Sequence, residues 1–278
     1  MMDQLIINEE ARMFLAEDVG SGDLTALVIP EGKQAKATLI TRDNMLVCGQ
    51  AWFEAIFNEL DPHIRIDWQQ SEGQPLMAGD TICYLSGSAR ALMTGERAAL
   101  NIMQSLSATA TLAGQYAKAV QGTSARVLDT RKTIPGLRLA QKYAVQCGGA
   151  TNHRIGLYDG ILIKENHILA AGSIQKAVEA ARKVSVSVPI EVEVENLDEV
   201  QQALNAKADI LLLDNFTIQL LKQAVELNDG QAKLEASGNV GLAGIRKIAN
   251  TGVDFISVGA LTKNIQAVDL SMRVDLEG

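Results

Sequence analysis

From about residue 126 onward, short β-rich runs recur with amphipathic stretches between them, and this recurrence restricts the possible folds more than any other feature. The runs lie at 127–130, 161–164, 190–195, 210–214, 233–237 and 255–259. From the third run onward their starts are about twenty residues apart, the length that a strand, a helix and two loops require in a parallel sheet. The segments 173–184, 196–205, 217–228 and 242–250 carry apolar residues at helical spacing, with Ser173, Asn196 and Thr217 placed as N-caps. Such units in succession predict an α/β fold, either a barrel or a doubly wound sheet.

The run 190–195 reads Ile-Glu-Val-Glu-Val-Glu. In a barrel strand the valine face packs under the outer helices and the glutamates point inward, where an unpaired carboxylate is costly and needs a cation. The alternative is an antiparallel edge strand with one wet face. The first hundred residues differ: β-like stretches at 35–42 and 81–86, turn signals at Glu72-Gly73 and Ala78-Gly79-Asp80, and a helical pattern at 50–60 predict a separate α+β domain. A helix over 95–120 leads into the second region.

The chain has 278 residues, 47% of them hydrophobic, enough for one large α/β domain with a smaller partner or for a single barrel. A net charge of -8 argues against broad attraction to nucleic acid or to an anionic membrane, so any anion must be caught locally. No apolar run reaches the roughly 18 to 20 residues of a membrane span, and the acidic segment 1–10 lacks a signal pattern, so the expected location is cytoplasmic. Cys48, Cys83 and Cys147 are far apart and read as reduced thiols, mostly buried. His63 reads as a surface residue, and three scattered histidines make no metal triad. Gly20-Ser21-Gly22 lacks the third glycine and the preceding strand of a dinucleotide fingerprint.

Out-of-place polar residues gather at predicted strand ends, where parallel α/β proteins keep their sites. Arg131 and Lys132 follow the first run, as a fork and a point charge suited to an anion. Gly148 and Gly149 precede His153 and Arg154, and Lys164 ends the second run, placed for an anion or a Schiff base. Glu193, Glu195 and Asp214 supply negative charge for a metal ion or for a sugar carbon that becomes cationic, and without a ligand would pair with Lys132 or Lys164. Ser237-Gly238-Asn239 and Gly259 close the last two runs, a customary place for a phosphate held by backbone N–H groups.

In this order, the stretches 17–25, 95–101, 129–138, 147–154, 162–167, 191–196, 213–216, 235–239 and 252–263 resemble the quinolinate phosphoribosyltransferase family over nearly the whole chain. The resemblance implies an N-terminal α/β sandwich domain (1–106, with 268–278 packing on it) and an incomplete parallel α/β barrel (107–267). It also implies a head-to-tail homodimer, open to higher assembly, in which Arg97 reaches the neighbouring subunit's site. The implied reaction joins quinolinate and phosphoribosyl pyrophosphate, with Mg²⁺, to give nicotinate mononucleotide, pyrophosphate and CO₂.

Carried over by position, Arg97, Arg131, His153, Arg154 and Lys164 surround the quinolinate carboxylates. Lys132, Glu193 and Asp214 hold ribose, pyrophosphate and metal, with Glu195 as a fallback of the same strand parity, and Lys132, Lys164, Glu193 and Asp214 form the catalytic set. Ser237, Gly238, Asn239 and Gly259 take the 5′-phosphate. The chain departs from the family's three-glycine pattern at Ala150, which matters only if that position needs positive φ. The rival readings are a molybdenum-transport-associated paralogue with another acceptor, a Schiff-base aldolase using Lys164, and a non-catalytic binding protein. A neutral acceptor would leave several of the cations unpaired, and an aldolase would need a hydrophobic setting to lower the lysine pKa, whereas the neighbours here are charged.

Overall fold

The computed structural model describes residues 2–185 and 187–276. It divides into two compact units, one running up to Leu112 and resuming at Ile265, the other spanning Ala113–Asn264.

In the first unit, helix α1 (Gln4–Val19) packs on α2 (Gln50–Leu60). Strands β1 (Gln34–Thr41), β3 (Arg65–Trp68), β5 (Thr81–Ser88) and β12 (Leu270–Leu276) form an antiparallel sheet in the order β12-β1-β5-β3, beside a small ribbon of β2 (Met45–Leu46) and β4 (Pro75–Leu76). Alternation along β1 buries Ala35, Ala37 and Leu39 on one face. Phe53 meets Phe57 and Trp68 edge-on at 5.0 and 5.4 Å, so an aromatic cluster forms part of this core. Helix α3 (Ala89–Val120) begins six residues earlier than its sequence pattern suggests.

The second unit is built on β6 (Arg126–Leu128), β7 (Ile161–Ile163), β8 (Ile190–Val194), β9 (Ile210–Asp214), β10 (Lys233–Ser237) and β11 (Phe255–Ser257). All pairings are parallel, in the order β6-β11-β10-β9-β8-β7. The sheet does not close: β6 and β7 are its edges, and a single bridge from Leu128 to Thr151 extends the β6 side. Strand β8 lies between two parallel neighbours, so the antiparallel edge reading of 190–195 is wrong.

Helices α4 (Arg138–Cys147), α5 (Glu165–Ala171), α6 (Ile174–Val184), α7 (Leu197–Asn205), α8 (Ile218–Asn228), α9 (Leu242–Ala249) and α10 (Ala260–Lys263) fill the crossovers. Ser173, Asn196 and Thr217 are the N-caps expected, each accepting an N–H from the first turn of its helix. Each such cap is worth about 1 kcal/mol. Val192 and Val194 are fully buried on one face of β8. Ala150 has no positive φ, so the methyl group costs the glycine-rich loop nothing there, while Gly149 takes the left-handed conformation at φ 84°.

Candidate active site

The singled-out residues of the second unit lie at and between its parallel strands, and one set of them lines a common cavity. Ser237 and Asp214 are register partners on β10 and β9, and Ser237 Oγ donates to Asp214 Oδ1 at 3.1 Å. Asn215 Nδ2 donates to the other oxygen at 2.7 Å, so neutral donors hold both oxygens of Asp214. Asp214, Asn215, Ser237, Gly238, Asn239, Gly259 and Lys132 line a cavity of about 580 Å³.

The turn after β10 is shaped by its glycine. Gly238 has φ 103°, and a Cβ there would stand 2.1 Å from Asn215 Oδ1. Asn215 and Asn239 are themselves left-handed, at φ 56° and 42°, a conformation asparagine tolerates. The exposed Lys132 passes close to Gly259, where a Cβ would meet its Cδ at 3.2 Å. Glycines, small residues and the two lysines Lys132 and Lys263 make this cavity suited to a phosphate or pyrophosphate.

Other singled-out cations of this unit meet charged side chains. Lys164, at the end of β7, pairs with Glu193 on β8, and its backbone N–H donates to Nδ1 of His167 at 2.9 Å. Asp129 and Lys142 form a buried ion pair at 2.5 Å, 0% and 2% exposed. Burial pushes both toward neutrality, raising the Asp129 pKa and lowering that of Lys142, and their mutual attraction opposes the shift. The pair grips His153 at both backbone ends: Asp129 accepts its N–H at 2.8 Å and Lys142 donates to its carbonyl at 3.0 Å.

The His153 ring lies over two acids. Its Nε2 is 3.1 Å from Glu191 and 3.4 Å from Glu235, and Glu191, Glu235, His153, Arg154 and Asp159 share a cavity of about 530 Å³. Burial disfavours charge on the ring, but hydrogen bonding and attraction from the two carboxylates outweigh it and push the His153 pKa up to about 10. The Arg154 N–H donates to Nδ1 at 2.7 Å. A second ring proton would displace that contact, so carboxylate pull and backbone contact oppose each other at Nδ1, while Nε2–H is common to both protonation states. Glu191 is raised, chiefly by burial and further by repulsion from Glu235, with His153 and Arg154 opposing.

Arg154 is lowered by burial and then by repulsion from Arg131, with Glu191 and Asp159 opposing. Asp159 holds the preceding loop by accepting the N–H groups of Ile155 and Gly156 at 2.7 and 3.0 Å. The Nε of Arg131 is buried without a hydrogen-bond partner, and Arg138 braces the Arg131 carbonyl at 3.2 Å. Two mutually repelling guanidinium groups, one with an unused buried donor, form a pair chemically suited to an anion.

Glu195 lies past the end of β8 and is exposed, accompanying Glu193 in a separate cavity of about 480 Å³. Arg97 is exposed on α3 in the first unit. A larger cavity of about 790 Å³, at the amino ends of β9 and β10, holds none of the singled-out residues. The cysteines fit the reading made of them: Cys48 and Cys83 are buried and Cys147 half-buried.

Asp129, Lys142, Glu191, Glu235 and Asn215 were not singled out as site residues. Strand parity with Glu193 and Ser237 marks Glu191 and Glu235 as inward-facing. Lys142 could have been found as a cation among Ala140, Ala144 and Val145, the buried residues of α4.

Models of the quinolinate phosphoribosyl transferase N-terminal and C-terminal domains match residues 23–107 and 109–273. The chain is 40% identical to a probable carboxylating nicotinate-nucleotide pyrophosphorylase of Synechocystis, covering 97% of this chain and 93% of that one. It is 38% identical to the Bacillus subtilis protein of the same description, covering 99% and 96%. Among solved structures, the nicotinate-nucleotide pyrophosphorylase of Francisella tularensis superposes with a TM-score of 0.94 at 48% identity, covering 99% and 98% of the two chains. NadC from Streptococcus pyogenes gives 0.96 at 35% identity, covering 100% and 99%. The chain belongs to the quinolinate phosphoribosyltransferase family.

Proposed function

We propose that the protein transfers a phosphoribosyl group from phosphoribosyl pyrophosphate to quinolinate with loss of CO₂, giving nicotinate mononucleotide and pyrophosphate. The observation that carries the reading is the unpartnered buried Nε of Arg131 beside Arg154, in a unit that also carries a glycine-lined cavity bearing the Asp214 carboxylate. Quinolinate brings two carboxylates to the first, and the donor brings phosphates and a sugar to the second.

Arg131, Arg154 and Lys164 orient the acid so that its ring nitrogen faces the anomeric carbon. The nitrogen forms the new bond as pyrophosphate leaves, and the carboxylates of Glu193 and Asp214 face the positive charge that develops on the sugar. Ser237, Gly238, Asn239 and Gly259 hold the 5′-phosphate, and Lys132 the leaving pyrophosphate. The alkylated ring nitrogen then stabilises the electron pair left at the adjacent carbon when CO₂ departs, and that carbon takes a proton.

Glu193 and Asp214 offer the hard oxygen donors that suit Mg²⁺, and they stand at the ends of neighbouring strands. These residues would hold the ion, directly or through water and substrate, and it would screen the pyrophosphate charge. Arg97, exposed on α3, serves the site of a second chain in a homodimer.

The test is to incubate the protein with quinolinate, phosphoribosyl pyrophosphate and Mg²⁺ and to follow CO₂ and pyrophosphate. Stoichiometric release of both is expected, with nicotinate inactive as acceptor. Binding of both compounds without turnover would refute the proposal.

A further inference from the structure

We propose that Glu191 and Glu235 are positioning residues that hold His153 by its Nε2–H and so fix the ring, and the start of the Arg154 backbone, beneath the acid-binding arginines. Both carboxylates face the same nitrogen, at 3.1 and 3.4 Å. The other side of the ring accepts the Arg154 N–H, and Asp129 and Lys142 grip the His153 backbone. The histidine is therefore held at its amide, its carbonyl and both ring nitrogens.

Packing alone does not explain two acids here. Glu191 is 4% exposed and Glu235 1%, and on each the Oε1 atom has no hydrogen-bond partner. A buried carboxylate that uses half its acceptors costs more than an apolar side chain of similar size. Leu212, the register partner of Glu235 on β9, shows that this sheet accommodates an apolar residue at that level.

The same three side chains place one nitrogen and two carboxylate oxygens within 4.8 Å of one another, a spacing that would also fit a metal ion. With Nδ1 occupied by the Arg154 N–H, however, Nε2 must carry the ring proton and has no lone pair for a metal. The cluster is a hydrogen-bonded support for a histidine.

The role assigned to the acids rests on the quinolinate reading, but its direct test does not. The chain contains three histidines, so a protein labelled with ¹⁵N-histidine gives a spectrum that His153→Gln assigns by loss of one ring. The expected result is an Nε2–H on His153 that is shifted downfield and protected from exchange, moving back toward ordinary values in Glu191→Gln and in Glu235→Gln. Each variant should also raise the KM for quinolinate by about tenfold, the scale of one hydrogen bond to a charged group. The KM for phosphoribosyl pyrophosphate should stay unchanged.

An unprotonated Nε2 in the unmodified protein overturns the proposal, as does an equal rise in both KM values that tracks a lowered Tm. If the unmodified protein releases no CO₂, the functional reading falls and the spectrum alone decides the support of His153. If the variants do not fold, the spectrum of the unmodified protein still decides it.

Discussion

Replacing Lys142 with Met should be among the most damaging single changes in the second unit, although Lys142 contacts no proposed substrate. The substitution keeps the side chain's length and removes the only cation paired with Asp129 among the described residues, leaving a carboxylate that is 0% exposed. Breaking one side of a buried ion pair costs about 3–5 kcal/mol, because the remaining charge has neither water nor counter-ion. In a domain of this size each kcal/mol lowers Tm by roughly 2–4 °C, so a fall of about 6–20 °C is expected in thermal unfolding followed by circular dichroism.

The sign of the pH dependence follows from the cause. Burial already raises the Asp129 pKa and Lys142 holds it back, so without the lysine it rises further. A carboxyl whose folded pKa lies above its unfolded value destabilises the fold once ionised. The deficit relative to the unmodified protein is thus greatest at neutral pH and shrinks as the solution is acidified. Adding Asp129→Asn removes the stranded charge while keeping an acceptor for the His153 N–H, and should recover at least half of the loss. A Lys142→Met protein within about 1 kcal/mol of the original, or a double variant less stable than the single one, would refute this reasoning.

Arg131→Ala should raise the KM for the dicarboxylate by about 10- to 100-fold, the range for a hydrogen-bonded charge contact, with little change in the KM for the phosphoribosyl donor; steady-state kinetics with each substrate varied in turn checks the asymmetry. Gly238→Ala places a Cβ 2.1 Å from Asn215 Oδ1 at φ 103°, so the turn must shift. It should weaken binding of the phosphoribosyl donor more than that of quinolinate and cost about 1–3 kcal/mol of stability, read by calorimetry and thermal unfolding.

Much of the frame was legible in the sequence because local rules governed it. The run 210–214 and the run 233–237 are strands at those bounds, and helix 50–60 is a helix at its bounds, since each has strong periodicity and clear punctuation at its ends. Helix α4 was not legible, because the buried Gln141 and Lys142 interrupt its apolar stripe. The alternation in 190–195 correctly required cations for inward glutamates, and Lys164 supplies one to Glu193.

The sequence by itself determined that this chain builds a parallel sheet with helical crossovers, capped by Ser173, Asn196 and Thr217, and that polar residues cluster at its strand ends. Those properties depend on periods of two and 3.6 residues and on contacts a few positions apart. The tertiary structure alone decided the partnerships: Asp129 with Lys142, His153 with Glu191 and Glu235, Asp214 with Ser237 and Asn215, and Arg131 with a buried donor left free. The physical reason is that charge placement in a buried site depends on which strands become neighbours. The outcome, a histidine whose ring rests on two acids, required residues from β8, β10 and the loop after α4 to meet within hydrogen-bonding distance.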